Sequence, residues 1–223
     1  MRPYRRQVAA LIGIASAIAL AMGPVAFAQA ETLKAEAEIS TKDIGAKQNT
    51  LGDFVADAIK ASAKTDAAFV AADYFNEVTI PKGTTSSADI LKSLVMPGDT
   101  ITIVKLTGDQ IQRAMERSLF LYPKFNSGFL QVSGVITTFK PDADVDRRVI
   151  SIKIGGDTLD AGKTYHVAMP TPLAKGGLAY FKIWKQSDIV KETDKTLQMA
   201  VMSYVVDHKT LAKGEDRLVA KGK

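Results

Sequence analysis

Hydrophobic spacing along this chain switches repeatedly between helical and strand periods, and that alternation limits the folds open to it. Three segments carry the helical spacing. In residues 49–63, Leu51, Phe54, Val55, Ala58 and Ile59 share one face, and Thr50 with Asp53 three residues on resembles a cap. Thr107-Gly108-Asp109-Gln110 is a capping box, in which the Thr107 hydroxyl and the Gln110 side chain each meet an orphan backbone N–H. Ile111, Ala114, Met115 and Leu119 then form a buried stripe. A last helix is predicted over residues 194–208, with Leu197, Ala200, Val201, Tyr204 and Val205 inward, and a short one from Ser86 or Ser87 to Leu94. Strand-like runs fall at 66–72, 100–106, 129–132, 135–139, 148–154 and 164–169. Gly155-Gly156-Asp157 predicts a hairpin turn between the last two. Helices mixed with consecutive late strands predict an α+β fold, not a doubly wound parallel sheet. Residues 49–220 read as one domain, preceded by an arm over 31–48 in which residues 35–39 could form a first strand.

Residues 1–30 read as an address rather than as part of that domain. Arg2, Arg5 and Arg6 precede an apolar run from Val8 to Met22, followed by Gly23-Pro24 and the small-x-small steps Ala26-Phe27-Ala28 and Ala28-Gln29-Ala30. A basic start, an apolar middle and an A-x-A site make a secretory signal peptide, cut after Ala30 or after Ala28. The run is long enough to serve as an anchor, but its alanine content and the Gly23-Pro24 break favour cleavage, with no permanent anchor left. The residues after Arg5-Arg6 fit twin-arginine export poorly. The expected location is the periplasm or the exterior.

Several chemistries are excluded by what the chain lacks. It has no cysteine, so disulfides, zinc-thiolate sites and thiol catalysis are out. Its two histidines, His166 and His208, cannot supply three imidazoles to one site, and both read as structural. Asp142, Asp144 and Asp146 are spaced like calcium ligands, but the sixth and twelfth positions of such a loop fall on Arg147 and Lys153 instead of Gly and Glu. No metal and no other cofactor is expected. Ser133 lies in a strand pair, not at a strand-to-helix elbow, so it does not read as a nucleophile. The net charge of +5 hints at nucleic acid. Without the three arginines of the leader, 26 basic residues face 24 acidic ones, and the lysines are scattered. Nucleic acid is therefore not an expected partner.

Six segments, in order, resemble the C-terminal domain of the secreted 5′-nucleotidase family, which includes bacterial UDP-sugar hydrolases and ecto-5′-nucleotidases. Leu51-Gly52-Asp53-Phe54-Val55-Ala56-Asp57-Ala58 resembles its opening helix, and Ile80-Pro81-Lys82-Gly83 the turn after its substrate loop. Lys105-Leu106-Thr107-Gly108 is similar to its strand-to-helix junction. Gly128-Phe129-Leu130-Gln131-Val132-Ser133-Gly134 matches most closely, and Arg148-Val149 with Thr164-Tyr165 are similar to later strands. Leu173-Ala174-Lys175-Gly176-Gly177 with Tyr180 is similar to the family's Phe-Leu-Ala-x-Gly-Gly-Asp-Gly-Tyr. The likeness runs from about residue 49 to 185 and more loosely to Arg217.

The resemblance implies a nucleotide-specificity domain, because the family's two-metal chemistry sits in a separate metallophosphatase domain. That domain's Asp-x-His and Asn-His motifs are absent here, so no catalytic residue is expected. The implied pocket holds Phe129, Gln131, Lys175, Gly176, Gly177 and Tyr180, with Tyr74, Phe75 and Glu77 on the opposing loop. Three positions depart from the family. The arginine of its Asn-Ala-Gly-Gly-Ile-Arg loop falls on Glu77, the second phenylalanine of its base sandwich on Pro172, and the Asp-Gly of its glycine loop on Leu178-Ala179. Stacking a base on aromatics is worth roughly 1–3 kcal/mol, so the expected ligand is nucleotide- or nucleoside-like but differently recognised. Phe129 also fits as a core residue of its strand. A separate metallophosphatase chain is the partner under the alternative reading, in which the domain takes part in nucleotide hydrolysis.

Overall fold

The computed structural model describes residues 30–222. The expected signal sequence, apart from its last residue, lies outside them. In chain order the elements are β1 (Thr32–Ala35), β2 (Ile39–Ser40), α1 (Thr50–Ala63), β3 (Ala67–Ala71), β4 (Thr79–Ile80), β5 (Gly83–Ser86) and α2 (Ser87–Lys92). They continue with β6 (Thr100–Thr107), α3 (Gly108–Ser118), β7 (Leu130–Ser133), β8 (Val135–Phe139), β9 (Val149–Ile154) and β10 (Asp157–Thr158). The chain ends with β11 (Thr164–Pro170), α4 (Thr171–Ala174), β12 (Ile189–Thr196), α5 (Leu197–Asp207), β13 (Thr210–Leu211) and β14 (Leu218–Ala220).

A five-stranded sheet, in the order β12-β6-β11-β3-β7, forms the centre. Its β11–β3 pair is parallel and its other pairs are antiparallel. β3 reads Ala-Ala-Phe-Val-Ala and is buried throughout, as a strand covered on both faces must be. A second sheet runs β10-β9-β8-β14, and smaller ones run β13-β1-β5 and β2-β4. α1 and α5 pack against each other, with Phe54 meeting Tyr204 edge-on at 5.0 Å. The α+β expectation holds.

The capping chemistry decides where helices begin. Thr107 and Gln110 satisfy each other's backbone N–H at the start of α3, and Ser86 and Asp89 do so for α2. At α1 the cap is Asn49, not Thr50. The Asn49 Oδ1 accepts the N–H groups of Leu51 and Gly52 at 3.0 and 3.3 Å, while Asp53 turns to other partners. The last helix starts at Leu197, because Thr196 accepts the Met199 N–H and the residues before it extend β12. The Gly155-Gly156 turn closes β9 onto the two-residue β10 rather than onto 164–169. That segment is β11, whose Val167, Ala168 and Met169 are buried in the central sheet between β6 and β3. The 31–48 arm carries β1 and β2, with Leu33, Ala35 and Ile44 buried.

Asp53 belongs to a buried charged cluster that gathers distant parts of the chain. Arg217, 7% exposed, donates from Nη2 to the Asp57 carboxylate at 2.8 Å and from Nη1 to the Val132 carbonyl at 2.7 Å. Its Nη1 lies 3.8 Å from the Asp53 Oδ1. Ser133 Oγ donates to the other Asp57 oxygen at 2.6 Å. Gln48 donates to Asp53 Oδ2 at 2.5 Å, and its Oε1 accepts the Arg217 N–H at 2.7 Å. Burial pushes the Asp53 carboxyl up to about 6 against the pull of Arg217.

Arg217→Met is expected to cost about 3–5 kcal/mol in urea denaturation at pH 7, since it strands the buried Asp53 and the half-buried Asp57 carboxylates. A second substitution, Asp53→Asn, should recover part of that loss. The native Asp53 value lies above the unfolded one, so its contribution is complete below about pH 4 and is lost as pH rises through about 6. The difference in stability between wild type and Asp53→Asn should therefore change by on the order of 1–3 kcal/mol across that window. A pH-independent difference would refute the assignment.

Candidate functional site

Three loop segments converge at one end of the central sheet. The Ala72 N–H donates to the Phe129 carbonyl at 2.8 Å and the Asp73 N–H to the Ser127 carbonyl at 3.0 Å. The Tyr180 hydroxyl donates to the Gly128 carbonyl at 2.7 Å. The two walls expected from the sequence, around Tyr74 and around Phe129 and Tyr180, do meet.

Their side chains divide into core and rim. Phe129 is 1% exposed, and Tyr180 is fully buried and stacked on Trp184 at a centroid distance of 4.6 Å. Trp184 in turn donates to the Leu173 carbonyl at 3.1 Å. Burial drives the Tyr180 and Tyr74 hydroxyls far above their ordinary range, so both stay neutral donors. Gln131 is also fully buried. Its Oε1 accepts the Asn49 N–H at 2.9 Å, and its Nε2 donates to the carbonyls of Ile44 and Lys47 at 2.8 and 2.9 Å. Gly52 of α1 packs so close that a Cβ there would come within 2.5 Å of the Gln131 Cγ. Phe129, Gln131 and Tyr180 thus stand behind the surface in this structure rather than on it. The physical reason is that each already has its partners: the Gln131 amide is engaged at both ends, and the Tyr180 ring at face and hydroxyl.

Tyr74 and Phe75 are nearly buried. Glu77 and Lys175 remain exposed, and Lys175 reaches the Glu192 carboxylate at 3.1 Å. Pro172 stands in the first turn of α4, where its fixed φ suits a helix start. Gly176 adopts φ +94°, and Gly177 packs on the Pro172 carbonyl. Leu178 and Ala179 adopt φ +56° and +66°. The backbone there takes a left-handed path with side chains that disfavour it.

Beside this turn lies a cleft of about 400 Å³ that the sequence does not announce. Gln112, Arg113, Glu116 and Arg117 of α3 form one wall, and Ala179, Lys182 and Ile183 form the other. The available signal is the spacing of Arg113 and Arg117, four apart on the face of α3 opposite its apolar stripe. Arg117 Nη2 donates to the Leu178 carbonyl at 3.1 Å, and its guanidinium stands 5.8 Å from the Phe120 ring centroid. Arg113 pairs with Asp109 at 2.9 Å. The Glu116 carboxylate accepts the backbone N–H groups of Arg148 and Val149 at 3.0 and 2.8 Å. Among the described residues, no group of three or more His, Cys, Asp or Glu side chains is placed to hold a metal.

Ala179→Gly should relieve the left-handed strain and raise stability by about 0.5–1 kcal/mol, the relief exceeding the added freedom of the unfolded chain. Thermal denaturation checks this, and an unchanged or lower midpoint would contradict it.

Comparison with known proteins follows the same outline. The family model described as 5′-nucleotidase, C-terminal domain, matches residues 24–186. The trifunctional nucleotide phosphoesterase protein YfkN of Bacillus subtilis is 34% identical over 143 residues, covering 60% of this chain and 10% of that protein. An apyrase of Aedes albopictus is 29% identical over 144 residues, covering 58% of this chain and 25% of that protein. The 5′-nucleotidase precursor from Thermus thermophilus superposes with a TM-score of 0.76 at 22% identity, over 86% of this chain and 39% of its own. The NAD nucleotidase of Haemophilus influenzae gives 0.67 at 13% identity, over 87% and 37%. The chain spans a quarter or less of the length of these two curated relatives, and the structural likeness shows the fold.

Proposed function

Because the chain belongs to the 5′-nucleotidase C-terminal domain family, we propose that it works as an exported, non-catalytic ligand-binding or accessory module. Its ligand is nucleotide- or nucleoside-like. The observation that carries this reading is the junction itself. One hydroxyl bond, Tyr180 to Gly128, locks two loops together beside a cleft of small-molecule size, and Arg117 is anchored at their seam. Export rests on the basic and apolar pattern of residues 1–30, with the periplasm or the exterior as destination. Among the described residues, no helix is long and apolar enough to cross a membrane.

A second reading makes the module a component of nucleotide hydrolysis. Two-metal hydrolysis needs several carboxylates and histidines in one pocket. The two histidines of this chain lie apart, His166 on β11 and His208 just after α5. Under this reading a separate metallophosphatase chain supplies the metals, and this one supplies specificity.

Calorimetric titration with nucleosides, nucleotides and nucleotide sugars tests the binding reading, and a blank across all three classes would overturn it. Phosphatase assays with divalent metals should give no turnover from this protein alone. Turnover that arises only on adding a metallophosphatase chain would favour the second reading.

A further inference from the structure

We propose that the cleft between α3 and residues 178–183 binds the phosphate end of a small phosphate monoester, with Arg117 and Lys182 as the phosphate ligands. This deepens the binding reading above by naming the recognised group and moving it away from the family's aromatic sandwich.

Several charges in the cleft are already engaged. The Glu116 carboxylate is held at both oxygens by backbone N–H groups. Asp109 and Arg113 neutralise each other across one helical turn. Among the described residues, the Arg117 Nη1 and Nε and the Lys182 ammonium make no hydrogen bond or ion pair. These two cations stand on opposite walls, and the cleft's one unpaired carboxylate among those residues is that of Asp146. The described lining as a whole carries three cations and three carboxylates, and Arg117 and Lys182 are the cations left without a carboxylate partner.

Arg117 is also placed in advance. Its Nη2 is fixed on the Leu178 carbonyl and its guanidinium lies near the Phe120 ring. Much of the ordering cost that weakens flexible surface arginines is therefore met before any ligand arrives. A planar guanidinium edge donates to two oxygens of a tetrahedral dianion, and an ammonium from the facing wall donates to a third. The remaining lining suits a hydroxylated body. Ala179 and Ile183 give an apolar surface, and Gln112 and Asp146 can bond hydroxyl groups. A volume of about 400 Å³ accommodates a sugar phosphate. Asp146 and Asp109 in the same cleft oppose a long polyanion, which distinguishes this site from a nucleic-acid groove.

The departures elsewhere fit this relocation. With Glu77 in the arginine position and Pro172 in the second aromatic position, the opposing loop offers a phosphate repulsion and a base one ring fewer. The cations that line the cleft are those of α3 and the 178–183 turn.

The test is calorimetric titration of the full chain at low salt with ribose 5-phosphate, adenosine 5′-monophosphate and adenosine. Lys182→Gln, a change to an exposed side chain, and Arg117→Gln are titrated alongside, with circular dichroism and thermal denaturation as checks on folding. Both phosphate esters should bind at least tenfold more tightly than adenosine, and Lys182→Gln should weaken both by about five- to tenfold. Adenosine binding as tightly as the monophosphate, unchanged in Lys182→Gln, would overturn the phosphate site while leaving the binding module standing. Ribose 5-phosphate binding that depends on Lys182, with no binding of adenosine or its monophosphate, would uphold the site and remove the nucleotide reading. Phosphate binding indifferent to both substitutions overturns the assignment of residues, and no binding by any of the three overturns both proposals.

Discussion

The Arg217 guanidinium is the point on which the architecture turns. It reaches the structure from the last segment of the chain and contacts α1 through Asp57 and Asp53, and β7 through the Val132 carbonyl. Immediately after it, β14 adds a parallel strand to β8. Before it, β13 pairs with β1 of the N-terminal arm. A chain with no cysteine has no covalent clamp for its ends, and here a buried ion cluster takes that role. Among the described residues the cluster is unbalanced, with the buried Asp53 and the half-buried Asp57 against one cation, and the Asp53 Oδ1 and Arg217 Nε lack hydrogen-bond partners. Such clusters contribute little net stability compared with apolar packing, yet losing one member is costly. Its effect is to fix which segments meet.

That placement reaches the site through β7. Arg217 and Gln131 hold the middle of one short strand, the first at the Val132 carbonyl and the second through the arm's carbonyls at Ile44 and Lys47. Gly128 and Phe129 immediately precede that strand, and Tyr180 fastens onto Gly128. The loop seam beside the cleft is therefore set by a rigid strand rather than by the loops themselves, the arrangement a preorganised binding site requires.

What is legible in the sequence divides along physical lines. Signals that act within four residues are readable: the capping boxes at Thr107–Gln110 and Ser86–Asp89, and the apolar stripe of α3. The cap of α1 falls on Asn49 instead of Thr50 because both are good caps, and the choice depends on Asp53 being drawn to Gln48 and Arg217, the latter 164 residues away. The pairing of β11 departs from expectation for the same reason. A turn sequence specifies local reversal, whereas the partner of a fully buried strand is specified by the core. At the site, the three segments do come together, and Gln131 and Tyr180 are buried with their polar atoms bonded to the backbone. A glutamine can contact a ligand or satisfy three backbone groups, and the sequence is identical in either case.

The turn at residues 176–179 keeps a strained path with residues that carry a Cβ. Where the family has Asp-Gly, this chain has Leu178-Ala179, and both residues still take the left-handed path. That path costs about 1–2 kcal/mol for each residue with a Cβ. A turn under no constraint would relax to a cheaper conformation. It is held instead by packing on both sides: the Tyr180 and Phe181 N–H groups return to the carbonyls of Gly177 and Gly176, and Arg117 grips the Leu178 carbonyl. The same guanidinium that holds the strained turn is the cation presented to the cleft.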